Sequence, residues 1–374
     1  MLDSAKPRIL LSGVNVTAMG PLAIFRDALA SVATDHGGQY EVIALVHRRV
    51  LFDIPGVTYL EFPNIKTSWF ARLKFEYLTL KQLSLQLKPK VWLSMHDMTP
   101  NVFAEVRAVY CHNPAPFYRF HLSDALLDWR FGLFTLFYRF LYGINIQAND
   151  FVIVQQRWIR EQFSRWYGLR NIVVAHPAVK LPSFTRGSGR RASSLYTFFY
   201  PAFPRPFKNV EVCLEASRIL ERRGFSQFEV WLTLDASANR YASRIVNRYS
   251  DVRSVRWLGL QPRDRIFELY HDTDCLLFPS KLETWGLPIT EFRVFGKPII
   301  ASDLPYAHET AAGHEQVAFF DPDKPEDLAS LMEKAATGQP VFAVAPEVTI
   351  KEPFARNWSE LWSLLLHDGK ATGT

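Results

Sequence analysis

Short apolar runs alternate with longer amphipathic stretches from one end of this chain to the other. That alternation is the pattern of βα units feeding a parallel sheet: a strand covered on both faces reads as an unbroken apolar run, and its crossover helix carries one apolar stripe. The spacing predicts strands at Arg8–Ser12, Glu41–Val46, Val91–Ser94, Arg107–Tyr110, Phe151–Val154 and Ile172–Val174. Helical patterns fall between them at Pro21–Ala33, Phe70–Leu87 and Trp158–Tyr167. Around Leu181–Ser194 the text LPSFTRGSGRRASS loses apolar periodicity and fills with Gly, Ser, Pro and Arg, which reads as a linker. Strands then resume at Leu195–Tyr200, Phe228–Leu234, Val255–Leu258, Cys275–Phe278 and Pro298–Ala301, with a helical pattern from Val210 to Arg223. A length of 374 residues is too great for one ordinary core. The expectation is an α/β chain with two Rossmann-like doubly wound domains: residues 1–182, a linker at 183–194, and residues 195–352. Pro353 to His367 reads as a helix with Phe354, Trp358, Leu361, Trp362 and Leu365 at helical spacing, so residues 353–374 are expected to pack back on the first domain.

Charge and composition narrow the partners. Residues 1–180 hold 20 Lys and Arg against 13 Asp and Glu, whereas the remainder hold 23 against 24. The basic surplus of the first half is dispersed, with no Lys-rich run, which argues against nucleic acid. No uninterrupted apolar run approaches the roughly 18 residues of a membrane span, and Ile9-Leu10-Leu11 is too brief for a signal-peptide core. Three isolated cysteines, Cys111, Cys213 and Cys275, form neither a disulfide framework nor a CxxC metal knuckle, and read as buried thiols of a cytoplasmic protein. Aromatic residues, 14% of the chain, concentrate in Phe117–Tyr142, where Arg119, Arg130 and Arg139 interrupt a run of rings. Such a segment suits peripheral docking on an anionic membrane surface, here the inner face of the cell membrane; a core helix with a lid is the other reading.

In open parallel sheets ligands bind beyond the carboxyl ends of the strands, so residues just after each strand are the first suspects. After the first strand, Gly13-Val14-Asn15 leads to Met19-Gly20-Pro21, where Gly20 precedes a helix start and can admit a phosphate or sugar; a plain strand-to-helix turn is the alternative. His96-Asp97 and Cys111-His112-Asn113-Pro114 stand at two further strand ends, placing Asp97, His112 and Asn113 where acceptor hydroxyls would be bound; a partly buried histidine satisfied by its own protein is the other reading of His112. The densest constellation is PSKLETWGLPITE, residues 279–291. Its loop carries Glu283, Gly286 and Leu287 form the loop–helix junction, Pro288 starts a helix and Glu291 lies in the first turn. Two carboxylates there are placed to accept hydrogen bonds from vicinal hydroxyls, and a sugar nucleotide carries two such diols. Alternatively Glu291 stabilises the helix dipole and Glu283 is a solvated loop charge. Arg205 and Lys208 follow another strand end, where cations can neutralise a departing diphosphate.

PSKLETWGLPITE, FGKPIIASDLPYAHE and FFDPDKPEDLASLM resemble the donor domain of the retaining glycosyltransferases called group 1 or family 4, which have the GT-B architecture of two domains facing a central cleft. The resemblance covers nearly the whole chain and is specific chiefly in the second half, through an E-x7-E motif from Glu283 to Glu291. It implies that Glu283 contacts the donor sugar, Glu291 the ribose, and Lys208 with Arg205 the diphosphate. YCHNP resembles the segment carrying the family's acceptor-side histidine, here His112. The family commonly has Gly-Arg with a Lys about five positions on; this chain has Ala202-Phe203 before Lys208. The implied activity is transfer of a sugar, with retention, from a GDP- or UDP-sugar to a glycan or lipid-linked saccharide in surface polysaccharide assembly. Glu283, Lys208 and His112 would carry the catalysis, and closure of the cleft would exclude water. No DxD or dense Asp cluster calls for a metal, so no cofactor is expected. Two alternatives share the fold: a sugar-nucleotide epimerase, and a non-catalytic subunit that binds a sugar nucleotide.

Overall fold

The computed structural model describes residues 6–17, 19–65, 69–117, 137–177 and 195–367. They form two compact units, one of residues 6–116, 137–177 and 350–367, the other of residues 117 and 195–349. The expected linker, residues 183–194, lies outside the described residues.

The first unit is built on eight strands: β1 (Arg8–Gly13), β2 (Glu41–Val46), β3 (Val57–Glu61), β4 (Val91–Ser94), β5 (Val106–Cys111), β6 (Phe151–Val154), β7 (Ile172–Ala175) and β14 (Phe354–Ala355). Their order is β14-β7-β6-β5-β4-β1-β2-β3, and every pairing is parallel. Alternation along each strand splits the core in two. Ile9, Leu11, Ala44, Leu93, Ala108 and Ile153 face the helix Met19–His36, which supplies Phe25, Ala28 and Val32. Leu10, Ile43, Leu45 and Trp92 face the other way, against Phe75 and Leu80. Gly13 is required where the first helix returns: a Cβ there would stand 2.3 Å from the Phe25 ring.

The expected C-terminal helix is shorter than the spacing suggests. Phe354 and Ala355 pair in parallel with Val174 and Ala175 of β7, and the helix begins at Trp358 and runs to His367. Backbone groups at the open edge of β7 recruit those residues into the sheet before the apolar stripe takes over. Trp358, Leu361, Trp362 and Leu365 then join the core beside the first helix, and the Trp362 indole donates to the Ala28 carbonyl at 3.3 Å.

The second unit carries β8 (Tyr196–Tyr200), β9 (Phe228–Leu232), β10 (Val255–Trp257), β11 (Cys275–Phe278), β12 (Ile299–Ser302) and β13 (Val317–Phe320), ordered β10-β9-β8-β11-β12-β13, all parallel. In both sheets the strand order reverses once, between β1 and β4 and between β8 and β11. At such a switch point neighbouring loops diverge to opposite faces and leave a crevice at the carboxyl ends of the strands. The three cysteines are free and buried. Among the described residues no helix is long and apolar enough to cross a membrane.

Candidate active site

At the switch point of the second sheet the loops after β8 and β11 are stitched together. The Pro206–Lys208 turn offers its Phe207 carbonyl to the Lys281 amide at 2.8 Å and the Ser280 hydroxyl at 3.2 Å, and the Tyr200 hydroxyl donates to the Lys208 carbonyl at 2.9 Å. Asn209 holds a left-handed conformation (φ 53°) and donates to the carbonyls of Pro279 and Pro322 at 3.2 and 2.8 Å, tying in a third loop. This scaffold brings Lys208 Nζ to 2.5 Å from Glu283 Oε1, with both side chains largely but not wholly buried. The charge of Glu283 is one reason, after burial, that the phenols of Tyr200 and Tyr306 are held well above their ordinary range. A cation and a carboxylate that reach solvent side by side from two strand ends can serve a ligand that is an anion at one end and a polyol at the other.

Gly286 precedes the helix Leu287–Arg293 at φ +90°, and a Cβ would meet the Phe278 ring at 3.3 Å, so both backbone conformation and close approach call for glycine. Leu287 is the first helical residue and is half-buried. Glu291, in the same helix, is buried, with Arg263 Nη2 at 2.7 Å from Oε1 and the Tyr270 hydroxyl donating to Oε2 at 3.2 Å. Burial holds its carboxyl above the usual range, while Arg263 and Tyr270 pull the other way. Arg205 is exposed, its guanidinium over the Phe203 ring at 5.4 Å, so the ion pair at this switch point is made by Lys208.

The first sheet's switch point holds a pocket of about 250 Å³, lined after β1 by Asn15, Val16 and Thr17, after β4 by His96 and Asp97, and after β5 by His112. Pro21, Arg72 and Tyr138 complete it. Gly20 falls inside the first turn of the helix Met19–His36 and does not line the pocket, because that helix starts before Pro21; the glycine of the preceding turn is Gly13. Asp97, at φ 69°, turns its carboxylate inward: Oδ1 accepts from the His112 amide (2.7 Å), the Asn113 amide (3.1 Å) and the Tyr142 hydroxyl (3.0 Å), and Oδ2 from the Tyr138 hydroxyl (3.2 Å). It therefore anchors the His112-Asn113 turn, and His112 Nδ1 lies 3.7 Å from Oδ1.

Tyr138 and Tyr142 sit four residues apart on the helical stretch 137–143 and share its inner face, whereas Phe137 and Phe140 are 67% and 74% exposed. The rest of the aromatic segment, residues 118–136, lies outside the described residues.

Behind the pocket lies a buried pair with no strong trace in the sequence. The helical run 69–87 widens to a π turn at Phe75–Thr79, which carries Glu76 into the interior, wholly buried, with Oε1 2.8 Å from His96 Nε2. His96 Nδ1 is 3.0 Å from the Ser12 carbonyl, which can only accept, so Nδ1 carries a hydrogen. Arg72 lies one turn before Glu76, with the side-chain amide of Asn15 against its guanidinium nitrogens at 2.7 to 3.1 Å.

Residues 186–344 match the family described as Glycosyl transferases group 1. No curated protein sequence matches the chain. Among solved structures, sucrose-phosphate synthase from Thermosynechococcus elongatus aligns over 89% of this chain and 90% of its own at 15% identity and a TM-score of 0.67. HepE from Anabaena, in complex with UDP-glucose, aligns over 96% and 95% at 13% identity and 0.63. The lipopolysaccharide outer core galactosyltransferase WaaB aligns over 89% and 90% at 13% identity and 0.61. The two parallel sheets with interleaved helices are those of the GT-B fold.

Proposed function

We propose that this protein is a retaining glycosyltransferase that moves a sugar from a nucleotide-diphosphate sugar, GDP- or UDP-linked, to a glycan or lipid-linked saccharide in surface polysaccharide assembly. The observation that carries the reading is the Lys208–Glu283 pair at 2.5 Å on the second sheet's switch point, within the family-matched residues. Lys208 is assigned to the diphosphate, whose negative charge grows as the glycosidic bond breaks, and Glu283 to the hydroxyls of the transferred sugar. Donor binding exchanges one partner of each: the ammonium turns to phosphate oxygens and the carboxylate to sugar hydroxyls. Glu291 is assigned to the ribose, with Arg263 and Tyr270 fixing its orientation. Gly286 and Leu287 give the diphosphate close backbone approach, and Arg205 adds charge from the loop.

The acceptor is assigned to the first unit's pocket, with His112 at its edge, Asn113 beside it and Asp97 holding both. In a front-face path, one of the two routes to retention, the departing diphosphate takes the acceptor proton, and the side chains supply position and charge. That HepE was solved with UDP and with UDP-glucose supports a nucleotide-sugar donor. Phe137 and Phe140, exposed at the end of the aromatic segment, support docking at the inner membrane face where a lipid-linked acceptor resides.

A thermal-shift panel of UDP, GDP and their sugars tests the core of the proposal, since a ligand specific for the native state raises Tm. Stabilisation by one nucleotide series, followed by release of that nucleotide on turnover in EDTA, is the expected result. A response to none of them, or loss of turnover in EDTA, sinks the donor assignment or its metal independence respectively. The anomeric configuration of the product, read by NMR, decides retention.

A further inference from the structure

We propose that the outward face of the helical run 69–87 is a docking surface for an anionic lipid bilayer. The inference deepens the proposed function, resting on its reading that the acceptor is carried on a lipid, and places the contact on a surface separate from the aromatic segment. Four large apolar side chains are exposed along the run: Phe70 (79%), Leu73 (37%), Leu78 (58%) and Leu85 (50%). Lys74 and Lys81 stand among them, and the other exposed positions of the run carry threonine or glutamine. Steps of three, four and seven residues set these six side chains on one side of the helix, away from Phe75 and Leu80, which fill the core. The run's one carboxylate, Glu76, is buried. Phe103 extends the face: it is half-exposed, its amide donates to the Ser84 hydroxyl at 3.0 Å, and Lys81 Nζ lies 5.9 Å from its ring centroid.

Other helices show what an ordinary solvated face carries. The exposed positions of Arg157–Tyr167 are Arg157, Glu161, Ser164 and Arg165, and those of Pro325–Ala336 are Glu326, Asp327 and Lys334. Apolar side chains interleaved with lysines, and no exposed acid, match the boundary between acyl chains and anionic headgroups. Lysine stems lie along the apolar side chains while their ammonium groups rise to the headgroup phosphates. A second copy of the chain fits less well, because a two-fold dimer would bring the lysines of both faces together. The helix Trp69–Lys74 also borders the first unit's pocket through Arg72, so docking by this face would hold that pocket about 10 Å, one helix diameter, from the bilayer.

The experiment is sedimentation of the full chain with vesicles of phosphatidylcholine alone and of phosphatidylcholine mixed with phosphatidylglycerol. Wild type is expected to bind the mixed vesicles only, and to release as salt rises. Lys74→Gln with Lys81→Gln should weaken binding roughly thirty-fold. Leu78→Ser with Leu85→Ser should weaken it about ten-fold or more, with UDP affinity and circular dichroism unchanged in both pairs. Wild type that ignores the mixed vesicles, or binds the neutral ones equally, overturns the proposal, as do paired variants that bind like wild type. Loss of binding confined to Phe137→Ser with Phe140→Ser would return the contact to the aromatic segment and also overturn it. A dimer, seen by sedimentation velocity without lipid and dissolved by Leu78→Ser with Leu85→Ser, would give the face to a second copy and overturn it too. Vesicle binding as expected by a protein that transfers only to soluble glycans would strike the lipid-linked acceptor and uphold the docking surface. Failure to bind any nucleotide would strike the donor reading alone.

Discussion

The two switch points use the same topology for opposite electrostatic ends. In the second unit a cation and a carboxylate reach solvent together and pair with each other, Lys208 with Glu283. In the first, the carboxylates are internal: Asp97 is held by two amides and two phenols, and Glu76 by His96. Charges that a ligand can recruit must remain exchangeable, whereas charges that shape a loop are best saturated by fixed dipoles. A carboxylate after corresponding strands of the two sheets is thus paired with a side-chain cation in one and saturated by amides and phenols in the other.

Breaking the exchangeable pair should have the largest effect on chemistry. Lys208→Ala and Glu283→Ala are each expected to lower transfer by about 10²–10³-fold, the size of losing one preorganised charge contact at a developing charge, with circular dichroism unchanged. Wild-type turnover in both would end the assignment of this pair. The saturated cluster should instead fail structurally. Asp97→Ala strands buried donors and should destabilise the first unit by about 2–4 kcal/mol in urea unfolding while UDP affinity holds. An Asp97→Ala protein of full stability with lost UDP binding would reverse the comparison.

A smaller effect is expected at Gly286, where alanine must adopt φ near +90° and crowd Phe278, costing about 1–2 kcal/mol and weakening nucleotide binding with it. The smallest concerns Glu291. A carboxyl whose folded-state pKa is raised favours folding when protonated; that contribution is complete below the ordinary Glu value near ~4.3 and is lost as pH rises through the raised one. Without ligand, Glu291→Gln should therefore match wild type in Tm at pH 4 and exceed it slightly at pH 7, while binding nucleotide less well. A variant that melts lower than wild type at pH 7 would show that Arg263 outweighs burial.

How much of this could be read from the chain depended on burial and on contiguity. Glu41–Val46, Val91–Ser94, Phe151–Val154 and Cys275–Phe278 coincide with strands because central parallel strands are apolar on both faces. Val57–Glu61 and Val317–Phe320 escaped notice as edge strands, the former half-exposed and polar at alternate positions. Phe354 and Ala355 obey a pairing partner that is distant in sequence and leave the helical stripe they seem to begin. The second unit's candidate site was legible because Glu283, Gly286 and Glu291 lie within nine residues. Arg72 and Glu76 were not, since a polar residue in an amphipathic helix reads as its solvated face unless a π turn redirects it.

The return of the chain to β7 bears on biosynthesis. The strand at Phe354–Ala355 and the helix carrying Trp358 and Trp362 are the last described pieces to leave the ribosome, yet they complete a sheet whose first strand emerged at Arg8. Translation at about 5–20 residues per second leaves that apolar surface waiting on the order of ten to forty seconds while the second unit is made. Nascent chains stalled before residue 350 should therefore recruit holdase chaperones through their first half, and release them once the final helix is free of the exit tunnel.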